Sequence, residues 1–402
     1  MNNNTTNVLY ILSSTNTLGG ASKAITSLLT GLMKKGIAPI VVLPGKNGLY
    51  NDLAKLGITV CYAPVRPNIY PKHNGIKNIS LYLPRLLYWH LLNIYSYHKI
   101  ISYLKDKHID IVHTNVSIMD FGYYIAKRLS IPHIFHIREY ADKDFNIRYF
   151  PNKAAFYKKF TAKHNYSICI TKDIRAYHRL DTETSSRVIY DGVCHINDIK
   201  LNNAKSRYIL YAGRIQPGKG LLHLVKAYAE YIKAVSETEA VPLHVAGEAT
   251  DNAYYKNIVT LIQQYNISKH IRFLGPRSDI AELMQRALAI VIPSEFEGFG
   301  FCMTEAMFNG CIVIGHNTGG TREQFDNGKE LSGIEIGLRY DTQEQLIEHL
   351  IDITRNNQQC YQGMITTAAD VVSRLYSVET CVDNVYKYYN DIINYENNQT
   401  NS

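Results

Sequence analysis

The chain has 402 residues, too long for one ordinary core and suited to two domains of roughly 150 to 200 residues each. With 46% hydrophobic and 19% charged residues it can pack well, which excludes wholesale disorder. No charge-free apolar run reaches about 18 residues, which argues against a conventional membrane span, and the net charge of +8 hides an imbalance: residues 1–200 carry 26 Lys and Arg against 12 Asp and Glu, residues 201–402 carry 17 against 23.

Along the chain, residues 1–7 lack the basic start and apolar stretch of a signal peptide. The seven cysteines are odd in number, scattered and never spaced Cys-x-x-Cys. Both features point to a reducing cytoplasm rather than a disulfide framework or a zinc site. A short apolar run at 8–12 leads into Gly19-Gly20-Ala21 and then an amphipathic stretch at 22–35. Further strand-like runs follow at 39–43, 109–113, 133–137 and 167–170. The segment 81–103 mixes Tyr82, Tyr88, Trp89, Tyr95, Tyr97 and Tyr103 with Arg85, His90, His98 and Lys99. It reads either as a partly buried helix or as one lying on an anionic membrane surface, where rings and basic groups suit the headgroups.

A second start repeats the first: an apolar run at 208–212, then Gly213-Arg214 to Lys219-Gly220, then a helix at 221–235. Runs at 243–246, 271–274, 288–292 and 312–314 complete it. Continuous apolar strands separated by helices indicate parallel sheets covered on both faces. The fold class is therefore α/β, with two doubly wound domains. The polar stretch 197–206 is the expected linker, 378–389 reads as a tyrosine-rich helix, and the tail from 397 is expected to fray.

The passage richest in chemistry runs from Pro293 to Gly310. Gly298 and Gly300 let the main chain approach a ligand and leave amides free at a helix start near Phe301, where the dipole favours an anion such as a diphosphate. Glu297 and Glu305 can both face that ligand, and carboxylates beside an anion suit hydroxyls of a sugar or ribose. Arg214 and Lys219 lie five residues apart across a strand-to-helix turn and can converge on a leaving diphosphate without a metal ion. The sole Asp-x-Asp triplet, Asp142-Lys143-Asp144, has no apolar strand immediately before it and reads as a solvated loop. His136 ends a strand that points into the ligand crevice of a doubly wound sheet, and His113 is a weaker candidate of the same kind. Arg138 and Glu139 are placed to meet acceptor, phosphate or solvent.

Taken together these motifs resemble the signature of the retaining glycosyltransferases of family 4 (glycosyltransferase group 1). Glu297 and Glu305 flank Gly298-Phe299-Gly300-Phe301, and Glu305-Ala306-Met307 closes the motif. Gly213-Arg214 and Lys219-Gly220 are similar to that family's Gly-Arg...Lys-Gly element, whose cations hold the donor diphosphate. Gly247-Glu248 resembles its next glycine turn, Arg272-Phe273-Leu274-Gly275 its base-cradling segment, and Gly319-Gly320...Glu323 a further motif. Gly19-Gly20-Ala21 is similar to the glycine loop facing the donor phosphates, and His136 stands where these enzymes carry a histidine near the transferred sugar. Ser22 and Asp191 depart from the usual acidic residue and asparagine.

The resemblance implies a GT-B fold, two Rossmann-like domains facing each other across a cleft: 1–198 on the acceptor side, 199–375 for the nucleotide sugar, a helix at 376–396 packing back on the first domain, and a frayed tail at 397–402. It implies a UDP- or GDP-linked sugar as co-substrate, no metal, and a hydroxyl acceptor, a lipid-linked one among the options. Glu305 would bind the ribose and Glu297 the donor sugar, while Arg214, Lys219 and the amides around Gly298 to Phe301 neutralise the leaving diphosphate. Transfer would proceed on the front face with retention, the leaving phosphate helping to deprotonate the acceptor. A role in bacterial surface polysaccharide or glycolipid assembly is expected, in the cytoplasm or at the inner face of the membrane. A GT-B sugar nucleotide epimerase is the alternative. A basic nucleic-acid-binding protein explains the basic half but not the glycine turns.

Overall fold

In a computed structural model the chain is described over residues 5–17, 19–69, 76–145, 149–201, 205–356 and 358–400. It divides into two compact units, Met1–Gly192 with Val378–Ser402, and Val193–Ser377.

The first unit is built on seven parallel strands: β1 (Thr6–Ile11), β2 (Ile37–Leu43), β3 (Thr59–Tyr62), β4 (Ile111–Thr114), β5 (His133–Ile137), β6 (Asn165–Cys169) and β7 (Ser186–Val188). Their order is β3-β2-β1-β4-β5-β6-β7. Every residue of β4, β5 and β6 is buried, as a sheet covered on both faces requires. The helix Gly20–Lys34 covers one face with Ala24, Ile25, Leu28, Leu29 and Leu32, a helical stripe. Against it packs the last helix, Val378–Thr400, through Val378, Val382, Val385 and Tyr389 of the same core. A Cβ on Gly31 would lie 2.4 Å from Val382 Cγ2, so this crossing needs glycine. The helix continues to Thr400, past the expected end at 396, because its apolar stripe reaches Ile392 and Glu396 accepts a hydrogen bond from Tyr166 Oη at 2.5 Å.

The second unit has six parallel strands: β8 (Ile209–Ala212), β9 (Leu243–Ala246), β10 (Ile271–Gly275), β11 (Ala289–Ile292), β12 (Ile312–His316) and β13 (Leu338–Tyr340), in the order β10-β9-β8-β11-β12-β13. The helix Leu221–Val235 buries nine side chains against it. Each sheet reverses its winding once, between β1 and β4 and between β8 and β11. Ligand crevices of doubly wound sheets open outside the carboxyl ends of the strands at that point.

Where the sequence reading joined the domains after 198 and 375, the chain passes between units after Gly192 and Ser377. The polar stretch expected as linker packs instead on the second unit. Lys200 N–H donates to Phe308 O at 2.9 Å, and Lys205 Nζ donates to Gln285 O and Gly310 O at 2.9 and 2.7 Å. Residues 202–204 of that stretch, 1–4 and 401–402 lie outside the described residues.

Candidate active site

At the winding reversal of the second sheet, two loops meet. The loop after β8 makes a turn of 3-10 helix at Pro217–Lys219 and enters the helix Leu221–Val235 through Gly220. Gly220 has φ +70°, and a Cβ there would lie 1.8 Å from Pro293 O. Only glycine lets this loop close on the one after β11. Glu295 N–H donates to Gly218 O at 3.2 Å, and Lys219 Nζ lies 2.7 Å from Glu297 Oε1, which also accepts from Ser294 Oγ at 2.7 Å. The Lys219–Glu297 pair is largely shielded, with side-chain exposures of 24% and 16%. Arg214, in the same loop as Lys219, is exposed, and its carbonyl accepts from Tyr211 Oη at 3.0 Å.

The loop Pro293 to Gly300 then enters the helix Phe301–Phe308, whose N-cap Gly300 has φ +94° and no side-chain cap. The amides of Phe301 and Cys302 therefore have no intrahelical acceptor. Gln324, buried in the helix Gly319–Ser332, fixes this start: its Nε2 donates to Phe299 O at 2.6 Å and Gly300 O at 3.2 Å, while its Oε1 accepts from Thr304 Oγ1 at 2.8 Å. Gly320 N–H donates to Glu297 O at 2.7 Å, and a Cβ on Gly320 would lie 2.4 Å from Phe299 O. Two helix starts thus bracket one loop. Burial pushes the Cys302 thiol well above its ordinary range, and the charges of Glu305 and Glu297 add to that. Both carboxylates therefore act on the first turn of this helix.

The glycine turns of the neighbouring strands are tied to the same edge. Gly213 N–H donates to Ala246 O at 3.0 Å, and Gly247 N–H to Gly275 O at 2.9 Å. A Cβ on Gly247 would fall 1.9 Å from Gly213 O. The structure thus brings Gly213, Lys219, Gly247, Glu297, Gly298, Gly300, Phe301 and Glu305 to the carboxyl edge of one sheet. It does not bring the Arg272 side chain there: Arg272 is exposed and faces His244 in the register, short of the strand end. Phe273 packs on Tyr255 with centroids 5.4 Å apart, and half-buried Leu274 falls at the irregularity that ends β10. The Phe299 side chain is a correction to the sequence reading: it is 3% exposed and packs on Tyr376 and Phe301, so only its main chain faces the loop.

The remaining candidates lie in the first unit. Gly19 caps the helix Gly20–Lys34, with open space where a Cβ would stand. His136 is buried in a hydrogen-bonded chain. The Tyr10 and Tyr389 hydroxyls are 2.7 Å apart, Tyr389 Oη is 2.6 Å from His113 Nδ1, and His113 Nε2 is 3.1 Å from His136 Nδ1. Burial holds both imidazoles well below their ordinary range, with Arg138 adding to it. His136 Nε2 makes no hydrogen bond and lies 3.9 Å from Asp191 Oδ1. Arg138 pairs with Asp191 through Nη1 and donates from Nε to Asn115 Oδ1 at 3.0 Å, while Glu139 accepts from Ser117 N–H and Oγ, each at 2.7 Å. Arg138 and Glu139 are therefore engaged within their own unit. Burial pushes the Asp191 carboxyl up while Arg138 pulls it down, so the arginine offsets the charge that an asparagine would not carry. Asp142 accepts from Tyr177 Oη at 2.6 Å and Lys153 Nζ at 2.9 Å, and these bonds lower its carboxyl against the effect of burial. Among the described residues no cluster of three His, Cys, Asp or Glu is arranged to hold a metal ion.

Sequence reasoning missed Gln324, Ser294 and Tyr389. Gln324 acts through bonds to carbonyls 24 and 25 residues away, Ser294 sits inside the recognised motif and bonds Glu297 three residues on, and Tyr389 stands 276 residues from its histidine partner.

Two family models match the chain in succession: Glycosyltransferase Family 4 over residues 18–195 and Glycosyl transferases group 1 over residues 195–369. An uncharacterized glycosyltransferase of Methanocaldococcus jannaschii is 27% identical over 332 residues, covering 80% of this chain and 87% of the relative. The capsular polysaccharide biosynthesis glycosyltransferase CapH of Staphylococcus aureus is 24% identical over 373 residues, 90% of this chain and 96% of the relative. The crystal structure of Anabaena HepE with UDP matches at TM-score 0.75 and 17% identity, covering 96% of this chain and all of that one.

Proposed function

Because the chain belongs to glycosyltransferase family 4 and has the GT-B fold, we propose that it moves one sugar from a UDP- or GDP-linked donor to a hydroxyl acceptor with retention at the anomeric carbon and without a metal ion. The observation that carries this reading is the Lys219–Glu297 contact across the winding reversal, framed by Gly220 and by the uncapped helix start at Gly300. As the glycosidic bond breaks, negative charge grows on the diphosphate. In this reading the amides of Phe301 and Cys302, with Arg214 and with Lys219 drawn from Glu297, receive it, a contribution of about 3 kcal/mol for each well-placed donor. In this reading Glu305 takes the ribose hydroxyls and Glu297 those of the sugar. The diphosphate oxygen released from the anomeric carbon accepts the acceptor's hydroxyl proton, so no protein base is required. His136 acts as a neutral hydrogen-bond donor, since burial keeps its imidazole uncharged.

A uridine donor is supported by the similar HepE structure bound to UDP-glucose. A role in surface polysaccharide assembly is supported by the relative named for capsule biosynthesis. A lipid-linked acceptor presented at an anionic membrane face completes the proposal.

The test is a screen of UDP- and GDP-sugars for thermal stabilisation, since a ligand at about 100 times its Kd adds about 2.7 kcal/mol to the native state. The stabilising donor is then incubated with acceptor alcohols with and without EDTA, and the product anomer is read by proton NMR. An inverted product, or loss of turnover in EDTA, would overturn retention or metal independence respectively. An epimerised sugar formed without acceptor would favour the epimerase.

A further inference from the structure

The helix Tyr82–Tyr103 of the first unit buries only Ser96 and Ile100 of its 22 residues. Leu83, Leu87, Leu91, Ile94 and Tyr95 follow one another at helical spacing and are 71, 62, 56, 56 and 56% exposed. A stripe of large apolar side chains this open is unusual on a protein surface and marks an interaction face. The helix is not long and apolar enough to cross a bilayer. From residue 53 to residue 105 the chain has seven Lys and Arg and no Asp or Glu. Behind the helix lies a cavity of about 740 Å³ whose lining includes Ile94, His98, Lys127 and Arg128, within the range of volumes that hold small ligands. His90 also lines it, with a buried Nε2 that has no hydrogen-bond partner. Its one lining carboxylate, Asp120, is neutralised by Lys159.

We propose that this face docks on an anionic phospholipid bilayer, the stripe Leu83–Leu87–Leu91–Ile94 reaching the acyl boundary while the cavity behind it receives the phosphodiester headgroup of one lipid. Ile94 belongs to both surfaces, so the cavity opens at the level where the headgroups would lie. Apolar insertion and cationic attraction act together in such interfacial helices. The proposal names the partner that presents the acceptor in the reading above and rests on it only for that purpose.

Trp89, the sole tryptophan, sits on this helix and reports its environment. The full chain is mixed with vesicles of phosphatidylcholine alone or of phosphatidylcholine with phosphatidylglycerol. Flotation, a blue shift of Trp89 emission and quenching by brominated lipid are expected with the mixed vesicles only. Leu87→Ser with Leu91→Ser alters exposed positions, so the melting temperature should hold while partitioning falls at least about tenfold. Lys127→Ala with Arg128→Ala should remove the preference for phosphatidylglycerol. Failure to float with either vesicle, or undiminished flotation of the Leu87/Leu91 variant, overturns the proposal. So does displacement by inorganic phosphate beyond that by chloride at equal ionic strength, which would assign the cavity to a free anion. Transfer to a water-soluble alcohol is assayed on the same preparations. Transfer without flotation removes the membrane face alone, and flotation without transfer removes the proposed reaction alone.

Discussion

At the scale of single residues, Lys219 holds a partner before any diphosphate arrives, since its ammonium lies on Glu297. A diphosphate must compete for that cation. The pair is partly exposed and is worth about 1 kcal/mol, or about a fivefold change in affinity. Glu297→Ala is therefore expected to bind UDP up to about fivefold more tightly while transfer falls at least about a hundredfold. Lys219→Ala should weaken both, and calorimetric titration with UDP beside a transfer assay separates the two. Weaker UDP binding by Glu297→Ala would show that the pair does not compete. The buried chain from Tyr10 to His136 carries a second prediction, because its ends order its protons. If Tyr10 donates to Tyr389, Tyr389 to His113 Nδ1 and His113 Nε2–H to His136 Nδ1, each of the three bonds has one proton, and an N–H is left at His136 Nε2 facing the Asp191 carboxylate. In the reverse order the Tyr10 proton has no acceptor among the described residues, and His136 turns a lone pair toward that carboxylate. Tyr389→Phe strands both neighbours and is expected to cost about 3 kcal/mol, whereas Tyr10→Phe removes only the terminal donor and costs about 1 kcal/mol. Equal losses in urea unfolding would rule out this proton order.

At the scale of elements, the close crossing of the helices Gly20–Lys34 and Val378–Thr400 depends on one missing methyl. Gly31→Ala gains about 1 kcal/mol of helix propensity but drives its Cβ into Val382, an overpacking cost of about 1 to 3 kcal/mol. Net destabilisation is expected, with Gly31→Ala relieved by Val382→Ala in the same chain, as thermal melts of the single and double variants can show. The central strands were legible because burial on both faces writes a continuous apolar run, as at β5 and β11. The strands sequence reading missed, β3, β7 and β13, are the sheet edges in three of four cases, three or four residues long and part-exposed, so no such run marks them. The donor loop was legible for a related reason. Positive φ at Gly220 and Gly300 and close approaches at Gly247 and Gly320 must be written as glycine. Gln324 and Tyr389 were not, because a buried hydrogen bond between distant segments leaves no local pattern.

At the scale of the whole molecule, the two units differ in how they should respond to acid. The first carries 26 Lys and Arg against 15 Asp and Glu, the second 17 against 20. The first also holds four buried histidines kept neutral chiefly by desolvation: His113 and His136 well below their ordinary range, His133 down to about 3 and His178 to about 4. A histidine whose folded pKa is depressed binds its proton more readily when unfolded. Stability is therefore fully present above the unfolded value near 6.5, and falls with pH until the folded value is passed. At pH 5 His133 and His178 each cost about 2 kcal/mol relative to neutral pH, His113 and His136 act in the same direction, and so does the added positive charge on an already basic unit. In the second unit His244 and His270 are lowered, and both remain partly exposed. Calorimetry from pH 7 to pH 5 should therefore shift a first-unit transition to markedly lower temperature and leave the second-unit transition nearly in place. His178→Gln is expected to narrow that separation by removing one titrating group whose imidazole bonds Tyr157 and Glu139 O. Parallel shifts of both transitions would mean that buried histidines do not set the acid limit of the first unit.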